Sequence, residues 1–118
     1  PSVFAIAILE HLYWLDRVLF QIQQMLSGSG KLYVLIPTEG AISWTLARNL
    51  FTLRRNAKIV GITPREMAEA MQVEHCNTVF AVDSAIKKFF RVDQCSLWPF
   101  NFGGAHMNLV KCYRLSSI

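Results

Sequence analysis

The chain opens on an uninterrupted apolar run, Val3-Phe4-Ala5-Ile6-Ala7-Ile8-Leu9, closed by Glu10-His11. Such a run, with β-branched members and a polar stop, predicts a strand over residues 3–9 that is buried on both faces. Leu12, Leu15, Val18, Leu19, Ile22, Met25 and Leu26 then recur at three- and four-residue steps, with Asp16, Arg17, Gln21, Gln23 and Gln24 between them. That is one apolar stripe on an amphipathic helix. Ser27-Gly28-Ser29-Gly30 ends it with residues that tolerate left-handed backbone, and Leu32-Tyr33-Val34-Leu35-Ile36 reads as a second buried strand stopped by Pro37. Strand, helix, turn and strand make a βαβ unit, parallel and with a right-handed crossover.

Residues 41–55 have helical spacing but are apolar nearly all round, through Ile42, Trp44, Leu46, Ala47, Leu50, Phe51 and Leu53, with Arg48, Arg54, Arg55 and Lys58 adding local positive charge. Thr63-Pro64-Arg65-Glu66 has the form of a capping box with proline at the first helical position, so a short helix is expected to run to about Met71. Thr78 is placed to cap another helix, whose Val82, Ala85, Ile86 and Phe89 face inward. Residues 90–98 and 106–115 have strand character and a connection containing Gly103-Gly104, which predicts a loose antiparallel hairpin. The pattern contains no internal repeat and no linker.

Composition narrows the class. At 118 residues the chain has the length of a single domain spanning 1–118. Hydrophobic residues make up 53% and charged residues 17%, against about 25% charged in an average soluble domain, which excludes disorder. The low charge also points to more apolar surface than one small domain can hide, hence to self-association or to a core completed from elsewhere. The net charge of +4 does not by itself indicate nucleic acid, and no nucleic-acid partner is expected. The first apolar run is too short to span a bilayer and has no basic residues before it, so neither a signal peptide nor a membrane partner is expected. Cys76, Cys95 and Cys112 are widely spaced and, with His11, His75 and His106, do not reach metal-ligand spacing. Three thiols suit a reducing, cytoplasmic setting, a Cys95–Cys112 bridge being the alternative.

The order of these pieces resembles a known family. Ile8-Leu9-Glu10-His11-Leu12, a helix ending in Met25-Leu26-Ser27-Gly28-Ser29-Gly30, and a strand closing on Ile36-Pro37 are similar to the second half of class I S-adenosylmethionine-dependent methyltransferases. Asn77-Thr78 opening a helix, the Phe89-Phe90 close and the Trp98-Pro99 strand end resemble one bacterial small-molecule branch. The fold implied is α/β, part of a Rossmann-like methyltransferase sheet: a parallel βαβ unit, then helices, then a C-terminal antiparallel β-hairpin. Residues 3–9, 31–36, 90–98 and 106–115 would be the fourth to seventh strands, the seventh inserting antiparallel between the fifth and sixth. The family's Gly-rich cofactor loop and ribose-binding acid belong to its first half, and nothing in this sequence matches them. Ser27-Gly28-Ser29-Gly30 is no substitute, since it follows a helix and precedes a strand.

The resemblance therefore implies a fragment of a longer enzyme or a truncated gene product, inactive or nearly so alone. Its strand 3–9 would be a bare edge, which a second copy of the chain or the missing half is expected to cover. The alternative is a non-catalytic dimeric interaction module derived from a truncated methyltransferase. On the enzyme reading, Leu9 and Glu10 contact the methyl donor, S-adenosylmethionine, and Glu10 and His11 form the catalytic pair, with His11 as base for a substrate hydroxyl or amine. The plainer reading of Glu10 and His11 is a strand cap. Thr38, Glu39, Trp44, Arg48, His75 and Asn77 are the candidate acceptor-binding residues. Trp44, Arg48, Phe51, Arg54 and Arg55 would form a lid able to hold an anionic acceptor. Against these stand a turn at Thr38-Glu39, Trp44 and Phe51 in the core with arginines on a solvated face, and helix capping at Asn77 or Thr78. No metal is implied.

Overall fold

The computed structural model describes residues 1–26 and 28–118; Ser27, within the predicted Gly-Ser turn, lies outside them. The elements are β1 (Ser2–Ile6), α1 (Leu15–Met25), β2 (Lys31–Pro37), α2 (Ile42–Ala47), α3 (Leu53–Val60), α4 (Pro64–Glu74), α5 (Val79–Phe89), β3 (Phe90–Trp98) and β4 (Val110–Ser117). They form an α/β arrangement around a four-stranded mixed sheet of order β1-β2-β4-β3. β1 and β2 are parallel, as a βαβ unit requires, and β4 lies antiparallel to both β2 and β3. The terminal hairpin thus inserts its last strand between the two that precede it.

Register decides which residues share a face. Val3, Leu32, Leu115 and Val92 are opposed across the four strands, as are Ala5, Val34, Tyr113 and Cys95. This face receives Leu15 and Leu19 of α1 and Val79, Val82, Ala85 and Ile86 of α5, which pack with it into the core. Period-2 alternation on the strands and a stripe on each helix close against one another, so apolar area leaves water on both sides of the contact.

The opposite face carries Phe4, Tyr33, Arg114 and Gln94 in one row and Ile6, Leu35, Cys112 and Ser96 in the next. Phe4 and Ile6 are 66% and 64% exposed, and the Phe4 ring stacks on Tyr33 at 4.9 Å. The expectation of a first strand buried on both faces is therefore corrected: β1 buries one. It is also shorter than predicted. Ala7 takes a left-handed φ of 49°, which ends the strand, and the chain folds into a 3₁₀ turn, Leu9–His11, with Leu9 buried in the core. β1 forms one edge of the sheet.

The predicted capping box forms at α4, where Thr63 Oγ1 accepts from the Glu66 amide and the Glu66 carboxylate accepts from the Thr63 amide. Thr78 caps α5 by accepting from the Ala81 amide. The helix predicted for 41–55 extends through residue 60, with a π-helical stretch, Arg48–Thr52, between α2 and α3. Cys95 sits opposite Tyr113 and Cys112 opposite Ser96, so the two thiols point to opposite faces and all three cysteines are free.

Helix α5 is tied to the sheet through Asp83. Burial opposes its ionisation, but hydrogen bonds from Lys111, Lys87 and the Tyr113 hydroxyl outweigh that and bring its pKa down to about 2. A carboxylate whose folded value lies below its unfolded one stabilises the fold above the unfolded value, and that contribution is lost as pH falls through the folded value. Urea midpoints are therefore expected to drop between about pH 4 and pH 2. Asp83→Asn should lower the midpoint at neutral pH and flatten the drop; an unchanged acid profile would show that the cluster adds nothing.

Candidate functional site

The site forms where the two parallel strands end. Beyond β1, the 3₁₀ turn buries Glu10, which is 3% exposed, and leaves His11 at the surface. Such a turn has carbonyls that no helix or strand satisfies. Asn77 supplies their partners, its Nδ2 donating to the carbonyls of Leu9 (3.0 Å) and Leu12 (2.7 Å) and its backbone amide donating to that of Glu10 (3.0 Å). The clamp joins the end of β1 to the segment before α5.

Beyond β2, Thr38 is fully buried and its hydroxyl donates to the Asn108 carbonyl. Glu39 follows, largely buried, with Arg48 donating to its Oε1 at 3.0 Å and His75 Nδ1 lying 3.0 Å from its Oε2. Gly40 has a φ of 86°, and a Cβ there would stand 2.9 Å from Thr78 Cγ2 at the start of α5. Glycine is needed for that turn and for the close approach that brings Glu39 beside His75.

The hydrogen bonds settle the imidazole tautomers. A carbonyl only accepts, so His11 Nδ1, 2.8 Å from the Glu74 carbonyl, carries its hydrogen, and the neutral ring's lone pair is on Nε2. The Glu39 carboxylate sets His75 the same way. The two rings meet edge to face at 4.6 Å, and His11 Nε2 lies 3.8 Å from Glu10 Oε1. Glu10, His11, His75, Glu39 and Arg48 thus form one continuous string. Between α2 and α4 it borders a cleft of about 290 Å³, lined by Glu39, Arg48, Thr45, Gln72, His75 and Thr78. An oriented imidazole backed by a buried carboxylate can take a proton from a hydroxyl or amine.

Three enclosed polar atoms among the described residues have no hydrogen-bond partner: Glu10 Oε2, Trp44 Nε1 and Arg48 Nε. Leu9 stands apart from the string, its side chain 1% exposed in the core and its carbonyl held by Asn77. Thr38 and Asn77 have their donors committed to backbone carbonyls, and Trp44 is half-buried one turn before Arg48. The reading of Phe51 as core is corrected, since it is 72% exposed.

Sequence reasoning missed Asn108. Its side chain accepts from the Phe100 amide and donates to the carbonyls of Phe102 and Gly104, while its own carbonyl accepts from Thr38 and Ser43. An asparagine shortly after Gly-Gly marks a turn, and nothing more specific in the sequence announces a hub. His106 accepts from the Ile42 amide at 3.3 Å and faces Phe80. No known protein family matches the chain, and no curated protein matches it.

Proposed function

We propose that the chain is the acceptor-side half of a class I S-adenosylmethionine-dependent methyltransferase domain acting on a small molecule. The observation that carries this reading is the strand order β1-β2-β4-β3, with β1 and β2 parallel and β4 antiparallel to both its neighbours. That is the order the resemblance implies for the last four strands of the family's sheet. The string of polar residues stands beyond the carboxyl ends of the parallel strands, where open α/β sheets bind ligands.

Glu10 fits a donor contact. Its enclosed Oε2 has no partner among the described residues and can accept from a ribose hydroxyl or an ammonium group. S-adenosylmethionine supplies an electrophilic methyl on a sulfonium centre when bound. The residues of this chain then have two tasks, to align the acceptor and to take its proton. His75, held by Glu39, and His11, held by the Glu74 carbonyl, each offer Nε2 for the second. Arg48 keeps the Glu39 carboxylate in place. A second reading, a non-catalytic module that assembles as a dimer, draws on the exposed Phe4 and Ile6 of the edge strand.

An NMR titration with S-adenosylmethionine, with ATP as control, decides between them. On the methyltransferase reading the amides of Glu10 and His11 shift with a weak, about millimolar Kd, the Gly-rich loop being absent from this sequence. Glu10→Gln weakens that binding at least about tenfold, equivalent to one lost charge-assisted contact. Equal shifts with ATP, or none at either residue, remove the donor reading and leave the interaction module.

A further inference from the structure

The helical segment 42–60 holds four basic residues, Arg48, Arg54, Arg55 and Lys58, and no acidic one. Arg48 is engaged by Glu39; Arg54, Arg55 and Lys58 are exposed and form no ion pair among the described residues. Large apolar side chains are exposed beside them: Ile42, Leu46, Leu50, Phe51 and Ile59. Leu53 and Ala57 are buried in the same helix, so the exposed residues belong to the surface left uncovered.

The π-helical stretch arranges these residues. In an α-helix a four-residue step drifts about 40° around the axis, so a long stripe at that spacing would wrap away from one side. The wider turn at Arg48–Thr52 takes up that drift for the steps that cross it. Leu46, Leu50 and Arg54 therefore stay near one side of the segment, Ile42 before them and Lys58 after them each turned about 40° from it, with Phe51, Arg55 and Ile59 adjoining. Apolar residues dominate the first half of the stripe and basic residues the second. The molecule is also elongated, at 49 × 29 × 20 Å with a radius of gyration of 15.5 Å, against about 13.5 Å for a compact chain of this length.

We propose that this segment, α2 through α3, is a peripheral docking surface for an anionic lipid membrane. Leucine, isoleucine and phenylalanine enter the headgroup–acyl boundary while arginine and lysine meet the lipid phosphates, the division of labour of an interfacial helix. Charge complementarity selects the occupant. Two copies of a segment with three free bases and no acid repel one another, and a nucleic-acid phosphate backbone makes no use of an exposed isoleucine–leucine stripe. Contact is with the surface only, since no helix among the described residues is long and apolar enough to cross a membrane. No membrane partner is expected from the sequence, and docking at the membrane surface departs from that expectation.

The test is co-sedimentation of the chain with phosphatidylcholine vesicles, with and without phosphatidylserine. Partition onto the phosphatidylserine vesicles alone is expected, weakening as salt rises. The triple change Arg54→Gln, Arg55→Gln and Lys58→Gln should lower it roughly a hundredfold. The pair Leu46→Gln and Leu50→Gln should lower it at least about tenfold, with the thermal melt unchanged because both side chains are exposed. Lys87→Gln with Arg91→Gln, on α5 and β3, should leave it intact. The proposal fails if the vesicles bind wild type and the first two variants alike, or if neither vesicle binds. It also fails if the chain retains single-stranded RNA but no vesicle, or if sedimentation velocity finds a dimer that Leu46→Gln dissociates.

Discussion

Asn108→Ala is expected to cost about 3 kcal/mol of stability. The residue is fully buried, and its amide satisfies one backbone N–H and two carbonyls, those of Phe100, Phe102 and Gly104. Truncation leaves the Phe100 amide and the Phe102 carbonyl without these partners, at about 1–3 kcal/mol each and partly offset by water reaching the exposed loop, while the Gly104 carbonyl keeps a long bond from the Met107 amide. Against a total of about 5–15 kcal/mol for an ordinary domain, the melting temperature should fall by more than about 10 °C. Asn108→Asp keeps the acceptor for Phe100 but turns a second oxygen toward two carbonyls, and should be no better than alanine. A cost under about 1 kcal/mol in urea would show that water replaces the amide and that Asn108 is no hub. Because Thr38 and Ser43 also bond to its carbonyl, the same change should loosen the junction between β2 and α2.

Substituting Asn77 should separate a clamp from a ligand contact. Its Nδ2 hydrogens are both committed, to Leu9 and Leu12, so alanine leaves the Leu12 carbonyl unpaired and the Leu9 carbonyl with only a long, 3.4 Å bond from the Leu12 amide, at a cost of about 2 kcal/mol. Asn77→Asp replaces the donors with a carboxylate facing the same carbonyls and should cost at least about 1 kcal/mol more. In both variants the turn holding Glu10 and His11 is loosened, though the residue 77 amide still donates to the Glu10 carbonyl, and the edge-to-face contact of His11 with His75 should shift, visible as a change in the His11 ring resonances. If alanine leaves the urea midpoint and those resonances unchanged, the amide is free for a ligand and the clamp is wrong.

Both residues show where sequence reasoning reaches its limit. Asn77 was singled out because it opens a helix, yet the capping is done by Thr78, and Asn77 bonds to carbonyls 65 and 68 residues away. Periodicity and caps report contacts within a few positions along the chain. A donor that serves a distant turn leaves no local trace, and Asn108 left none. Phe51 was read as core because helical spacing counts apolar residues without counting the neighbours available to cover them.

The sequence alone determined the elements whose causes are local: the amphipathic stripe of α1, the capping box at Thr63-Glu66, the Thr78 cap, the parallel βαβ unit and the antiparallel terminal pair. Glu39 and His75, 36 positions apart, were named one by one, the first from its place after a strand and the second from a polar run before a helix. Only the tertiary structure decided that they face each other, with Arg48 behind one and His11 beside the other. It also decided that β1 buries one face, because a strand's second face is buried only when something packs on it, and an apolar run is the same in either case.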